Sequence, residues 1–279
     1  MKFNCNWLQV LDAIMDPIHT SFLHSTISGT QFSEGLGEIG ELEIYERGTQ
    51  FLGSNTRRVN DYVWVRVNEL ILPNFTQAGA AFAADGTKTR FFGRSSFTTW
   101  VVPIDNTHSM ALAWGNFGER GDPLKYNSQE GCELIEQGEV INRTWEEKKL
   151  HPSDAEAVEG MGPISHHKNE HLMPTDKGIL LYRRHIRKLI NDLKNGKKMP
   201  QPQQIPGERV RTNGQDTVLL MPQKNDDDRK FLRNIGSDVM DLQFKAENIL
   251  LPLVWNISQS TNISFNSVRL KSQKTSWGT

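Results

Sequence analysis

Two histidines near the start of the chain have the most evident chemical reach. They lie in the run Asp16-Pro17-Ile18-His19-Thr20-Ser21-Phe22-Leu23-His24, five positions apart. A neutral imidazole is a good nitrogen donor, so a buried pair suits iron, zinc, copper or nickel. Five is a loose helical spacing. Two such imidazoles reach one point if the helix is distorted or widened by a π-bulge, a feature frequent at functional sites. An arbitrary H-x4-H is more often one core histidine with a satisfied N–H and one surface histidine. A third ligand is needed before the pair becomes a site.

The rest of the composition narrows the field. The chain has 279 residues, 37% hydrophobic and 23% charged, with a formal net charge of -1. That is a globular balance with no basic excess for nucleic acid. There are two cysteines, Cys5 and Cys132, and neither sits in a C-x-x-C pair. A disulfide framework is not expected, nor a cysteine-ligated zinc or iron–sulfur site built from this chain alone. No run approaches the roughly 18 apolar residues of a membrane span, so no membrane role is expected. A reducing cytoplasm is the expected compartment. The Asn74, Asn142, Asn256 and Asn262 sequons are then chance matches.

The elements that must position the histidines read as follows. Residues 4–24 are predicted helical, with Asp16 an N-cap and Pro17 at the first helical position. Residues 41–118 are rich in β-branched and aromatic runs punctuated by Gly, Asn and Asp. In DYVWVRV, Tyr62, Trp64 and Arg66 fall on one face and Val63, Val65 and Val67 on the other. No helical pattern separates these runs, so an antiparallel sheet and an α+β fold are expected. Helices return at 154–161 and 176–195, the second with Ile179, Tyr182, Ile186, Leu189 and Ile190 at helical spacing. DTVLLM (216–221) reads as a strand. The expected division is one domain over 1–222 and a polar, weakly ordered tail over 223–279.

Three segments carry a resemblance. CNWLQVLDAIMDPIHTSFLH holds Asn6-Trp7-Leu8-Gln9, Asp12, Asp16, His19 and His24. TTWVVPIDNTHSMALAW holds Trp100, Pro103, Asp105 and His108. DAEAVEGMGPISHHKNEHLMPTDKGILLYRR runs from Asp154 to Arg184. In this order they resemble the catalytic domain of Rieske non-haem iron aromatic-ring oxygenases, in the branch of phthalate-dioxygenase-like enzymes and aryl-ether O-demethylases. The resemblance spans roughly residues 4–222. His166-His167 departs from it, since an Asp-Arg pair is usual there.

The resemblance implies a mononuclear Fe2+ held by His19, His24 and Asp154, a face that leaves other coordination positions open. It implies that Asp16 bridges an iron-ligand histidine and, across a homotrimer interface, a histidine of a neighbour's [2Fe–2S] cluster, although Asp16 also reads as a plain N-cap. Asp12 stands between tuning the metal and being simply solvated. His108 reads as a satisfied sheet histidine rather than a cavity contact. The implied fold is a helix-grip (START/Bet v 1-like) sheet, curved around a largely apolar pocket and covered by helices on one side. The implied activity is hydroxylation or O-demethylation of an aromatic substrate with O2, electrons coming from a Rieske domain and its reductase or ferredoxin donor.

A Rieske centre needs two Cys and two His, and Cys5 and Cys132 do not supply that pattern. The expectation is a truncated or split protein that binds iron without turning over alone. From a different class, the alternative is a noncatalytic helix-grip protein holding an aromatic or lipid. A zinc hydrolase has the ligand types but no accompanying HExxH-like base.

Overall fold

The computed structural model describes residues 1–27, 34–79, 95–115, 143–199, 212–221, 224 and 226–245. Its framework is an antiparallel sheet. The path runs β1 (Lys2–Phe3), β7 (Ser109–Gly115), β6 (Ser95–Pro103), β5 (Phe75–Gly79), β4 (Tyr62–Ile71), β3 (Gln50–Val59) and β2 (Glu41–Arg47). A further strand, β8 (Gln215–Leu220), lies off this path and pairs with β4. β4 divides one edge between two partners: residues 62–67 pair with β8 and residues 68–71 with β5. The expected α+β architecture and antiparallel pairing are therefore present.

Both faces of the sheet are covered. On one side Phe51, Leu70 and Val101 pack with α1 (Trp7–Met15), α4 (Asp154–Glu159) and α5 (Lys177–Lys194), through Val10, Leu11, Met15, Val158, Ile179 and Tyr182. Asn6 caps α1 by accepting from Leu8 N at 3.0 Å. The short α3 (Trp145–Leu150) precedes α4 and is capped by Thr144. Ile190, expected on the apolar face of α5, is exposed instead.

The opposite face corrects two expectations. Val63, Val65 and Val67, with Leu52 and Leu219, are buried against Leu232, Ile235, Val239 and Met240 of α6 (Asp228–Lys245). The expected polar tail thus supplies an 18-residue helix to the core, and helices cover the sheet on two sides rather than one. Alternation in β4 requires this: its valine face is apolar and must be covered. Each such valine contributes about 1.5–3 kcal/mol when buried. Gly236 permits the close approach, because a Cβ there would overlap Thr56 on β3. Arg58 on β3 holds the start of α6 through Asp228, with Nε donating to Oδ2 at 2.9 Å. Residues from 246 onward, Cys132 and the Asn142, Asn256 and Asn262 sequons lie outside the described residues. Among the described residues no helix is long and apolar enough to cross a membrane.

Candidate metal centre

After α1 the chain turns at Asp16 and Pro17 and enters α2 (His19–Ser21), which runs directly into a π-helix over Phe22–Ile27. Residues five apart on a regular α-helix stand about 140° apart around the axis. The i→i+5 pattern of a π-helix reduces that angle. The widened turn brings the two imidazoles together, with ring centroids 5.3 Å apart and planes at 72°. His24 is buried and His19 partly so.

Asp154, the first residue of α4, completes the group. Its Oδ1 lies 3.4 Å from His19 Nε2 and 3.1 Å from His24 Nε2. α4 is itself positioned by a buried glutamine on α1. Gln9 Nε2 donates to Val158 O at 3.0 Å and Gly162 O at 2.9 Å, while its Oε1 accepts from Ser165 N at 3.0 Å. Ser153 and Glu156 form a capping box at the helix start.

The donor chemistry fits a bound cation. His19 Nδ1 is hydrogen-bonded to the Asp16 carbonyl oxygen. A carbonyl only accepts, so Nδ1 carries the proton and Nε2 of a neutral ring presents a lone pair to the carboxylate. Two electron-rich atoms at that range need a cation between them or a protonated ring. Donors at about 2.1 Å from a common metal lie about 3.0 Å apart at a right angle and about 3.4 Å apart at a tetrahedral angle. The observed 3.1 and 3.4 Å bracket the same range. Desolvation acts to raise the Asp154 pKa, but with the rings protonated their hydrogen bonds and charge outweigh it and hold the carboxyl well below its ordinary range. Asp154 therefore presents an anion to the centre at neutral pH.

The remaining candidates separate. Asp16 Oδ1 accepts from Ile18 N at 2.9 Å and His19 N at 3.3 Å, so the carboxylate caps the turn. Its link to the His19 ring runs through the backbone carbonyl. Asp12 is not solvated: it is buried and forked against Arg183, with Nε donating to Oδ1 at 2.9 Å and Nη2 to Oδ2. The same guanidinium holds Glu170 Oε2 at 2.6 Å and Oε1 at 3.0 Å. Asp12, His167 and Glu170 also lie close enough to hold a metal, but Arg183 is hydrogen-bonded to both carboxylates. His108 is exposed in the β6–β7 turn, 3.0 Å from Asp105.

Sequence reasoning passed over Arg57 and, as a positioning residue, Gln9. The sheet face beneath the metal turn carries Asn55, Arg57 and Arg66 beside Trp64, paired across β3 and β4 as Asn55↔Arg66 and Arg57↔Trp64. Burial lowers Arg66 to about 10, and Asp216 and Asp154 act to raise it.

No protein-family model matches the chain. Over 220 residues, 73% of its length, the chain is 31% identical to the tert-butanol monooxygenase / tert-amyl alcohol desaturase oxygenase subunit of Aquincola tertiaricarbonis, covering 45% of that protein. Over 195 residues, 68% of its length, it is 30% identical to the phenoxybenzoate dioxygenase subunit alpha of Ectopseudomonas oleovorans, covering 44% of it. The chain thus spans less than half the length of these curated relatives. A crystal structure of dicamba monooxygenase bound to dicamba is similar at 16% identity and a TM-score of 0.45, over 71% of this chain and 58% of that one. A likeness that low adds no weight. With the two relatives aligned over some 70% of its residues, the chain belongs to the Rieske-type non-haem iron oxygenases and corresponds to part of their oxygenase subunit.

Proposed function

We propose that this chain is the catalytic portion of a mononuclear non-haem iron oxygenase. The observation that carries the reading is the convergence of His19 Nε2 and His24 Nε2 on Asp154 Oδ1, at 3.4 and 3.1 Å, at the end of an Asp-x2-His-x4-His turn. Two neutral imidazoles and one carboxylate are the donor set suited to a ferrous ion with open positions. Iron held there supplies the redox chemistry that activates dioxygen.

The protein's own residues do the positioning. The Asp16 carbonyl fixes the His19 tautomer and ring plane, the role a hydrogen-bonded partner plays behind a metal-ligating imidazole. Asp154 supplies negative charge, and Gln9 holds the helix that bears it. The proposed substrate is aromatic and is hydroxylated or O-demethylated. One relative's name is that of a phenoxybenzoate dioxygenase, which favours aryl ethers, while the other names a branched alcohol. The proposed electron source is a Rieske [2Fe–2S] domain fed by a reductase or ferredoxin. Asp16 is the proposed relay, since it already touches His19 and is only partly buried. A homotrimer in the cytoplasm is the proposed assembly.

The test is iron content. The purified chain, loaded with Fe2+ without oxygen, is expected to retain about one iron per chain. His19→Ala and Asp154→Ala are expected to lose it with an unchanged far-UV CD spectrum. A folded chain that binds aromatics and retains no iron would overturn the proposal in favour of a noncatalytic binding protein.

A further inference from the structure

Among the described residues, Arg57 on β3 is a buried cation without a carboxylate in its hydrogen bonds. It is 1% exposed. Its Nη2 donates to Thr20 Oγ1 at 2.9 Å and to Pro17 O at 3.4 Å, and its Nε donates to Glu38 O at 2.8 Å. Thr20 Oγ1 in turn donates to Pro17 O at 2.8 Å. Asn55 Nδ2 reaches the same Pro17 oxygen at 3.5 Å. The guanidinium lies 5.2 Å from the Trp64 ring. Among the described residues its Nη1 has no hydrogen-bond partner.

One rigid fork therefore joins three pieces of chain: the sheet, the turn that carries His19, and the segment that returns at Glu38. Two of its acceptors, Pro17 O and Thr20 Oγ1, flank the ligand within two residues. Taking a guanidinium out of water is costly unless well-placed partners compensate, and here the partners are neutral. Burial lowers its pKa to about 9. Gly40 preserves the arrangement, because a Cβ there would overlap Asn55 Oδ1 and lie 2.8 Å from Arg57 Cγ.

We propose that Arg57, acting through Thr20 and the Pro17 carbonyl, is the positioning residue that sets where the His19 imidazole stands relative to His24 and Asp154. The inference rests on reading those three residues as metal ligands. Its physical basis is that α2, which carries His19, is only three residues long, too short a helix to fix its own orientation, so the position of His19 must be imposed from outside. The sheet is the rigid body available, and Arg57, with Asn55 beside it, ties the sheet to the turn. A lysine keeps the charge but has no planar fork to bridge Thr20, Pro17 and Glu38.

The test uses Co2+ as the probe, read by titration and by its visible ligand-field spectrum, on the full chain and on Arg57→Lys and Thr20→Val. Far-UV CD and the thermal midpoint without metal monitor folding separately. Both variants are expected to bind Co2+ about 10–100-fold more weakly, the usual cost of losing an outer partner of a metal ligand, with an altered spectrum at saturation. Thr20→Val keeps shape and volume, so it serves if Arg57→Lys does not fold. Affinity and spectrum unchanged in the folded variants would overturn the inference while leaving the metal reading intact. No Co2+ binding by the unsubstituted chain would overturn the metal reading and this inference together.

Discussion

Asp12→Ala is the substitution whose outcome the structure specifies most fully. Asp12 and Arg183 are both buried, and the guanidinium makes two bonds to Asp12 and two to Glu170. Removing Asp12 strips Arg183 Nε of its 2.9 Å partner, whereas Nη1 and Nη2 keep Glu170. Breaking a buried pair by removing one partner costs about 3–5 kcal/mol. Because Glu170 still compensates the charge, the expected loss is at the lower end, about 3 kcal/mol. At about 2–4 °C per kcal/mol for a domain of this size, the thermal midpoint should fall by about 6–12 °C. Urea unfolding followed by far-UV CD measures the loss directly. A cycle with Arg183→Met isolates the coupling, and the double variant should lose less than the two single losses added together. A loss below about 1 kcal/mol in Asp12→Ala, or strict additivity, would refute the reasoning. Iron lost with stability intact would restore the metal-tuning role for Asp12.

Other outcomes follow from the same contacts. Ile235→Ala in α6, a residue 1% exposed, should cost about 2–5 kcal/mol by urea unfolding; a weakly ordered tail would give almost nothing. Gly40→Ala should lower stability by about 1–3 kcal/mol through overpacking, since its Cβ would meet Asn55 and the Thr56 carbonyl oxygen at 2.8 Å; soluble protein with an unchanged midpoint would count against that packing. Burial pushes Asp12 up to about 6 against the opposing pull of Arg183, above the unfolded value of about 3.9. The folded state then holds the extra proton between about pH 4 and 6, so this group's contribution falls as pH rises through that window. Glu170, lowered chiefly by its Arg183 hydrogen bond, and His167, lowered chiefly by burial, slope the other way. The reading is therefore the difference between the unsubstituted chain and Asp12→Asn, and parallel stability curves from pH 4 to 6 would contradict it. Without any added Rieske protein, the iron-loaded chain should form no product from reductase, NADH and O2; robust turnover would reject the need for a separate cluster.

Much of the candidate site is legible in the order of residues alone. His19 and His24 stand in a run whose spacing lets both rings reach one point if the helix widens, and the helix does widen to a π-helix from Phe22. Asp154 follows from resemblance, since no local pattern links a carboxylate 130 positions away to a histidine pair. The strands from 41 to 115 announce themselves by alternation, because side chains in a strand point to opposite faces with period two.

Tertiary structure decides the rest. The polar composition after residue 222 conceals α6, whose stability comes from packing on Val63, Val65 and Val67 rather than from its own sequence. Asp12 can be read as exposed or catalytic until α5 brings Arg183 against it. Arg57 carries no signal, because an arginine in a strand is ordinarily a surface residue and Arg58 stands right beside it; only folding places the Thr20 hydroxyl and the Pro17 carbonyl within its reach. Residue identity determines which atoms can donate, accept or carry charge. Which of them meet depends on contacts between residues far apart in the chain, and those exist only once the sheet and its two helical layers have formed.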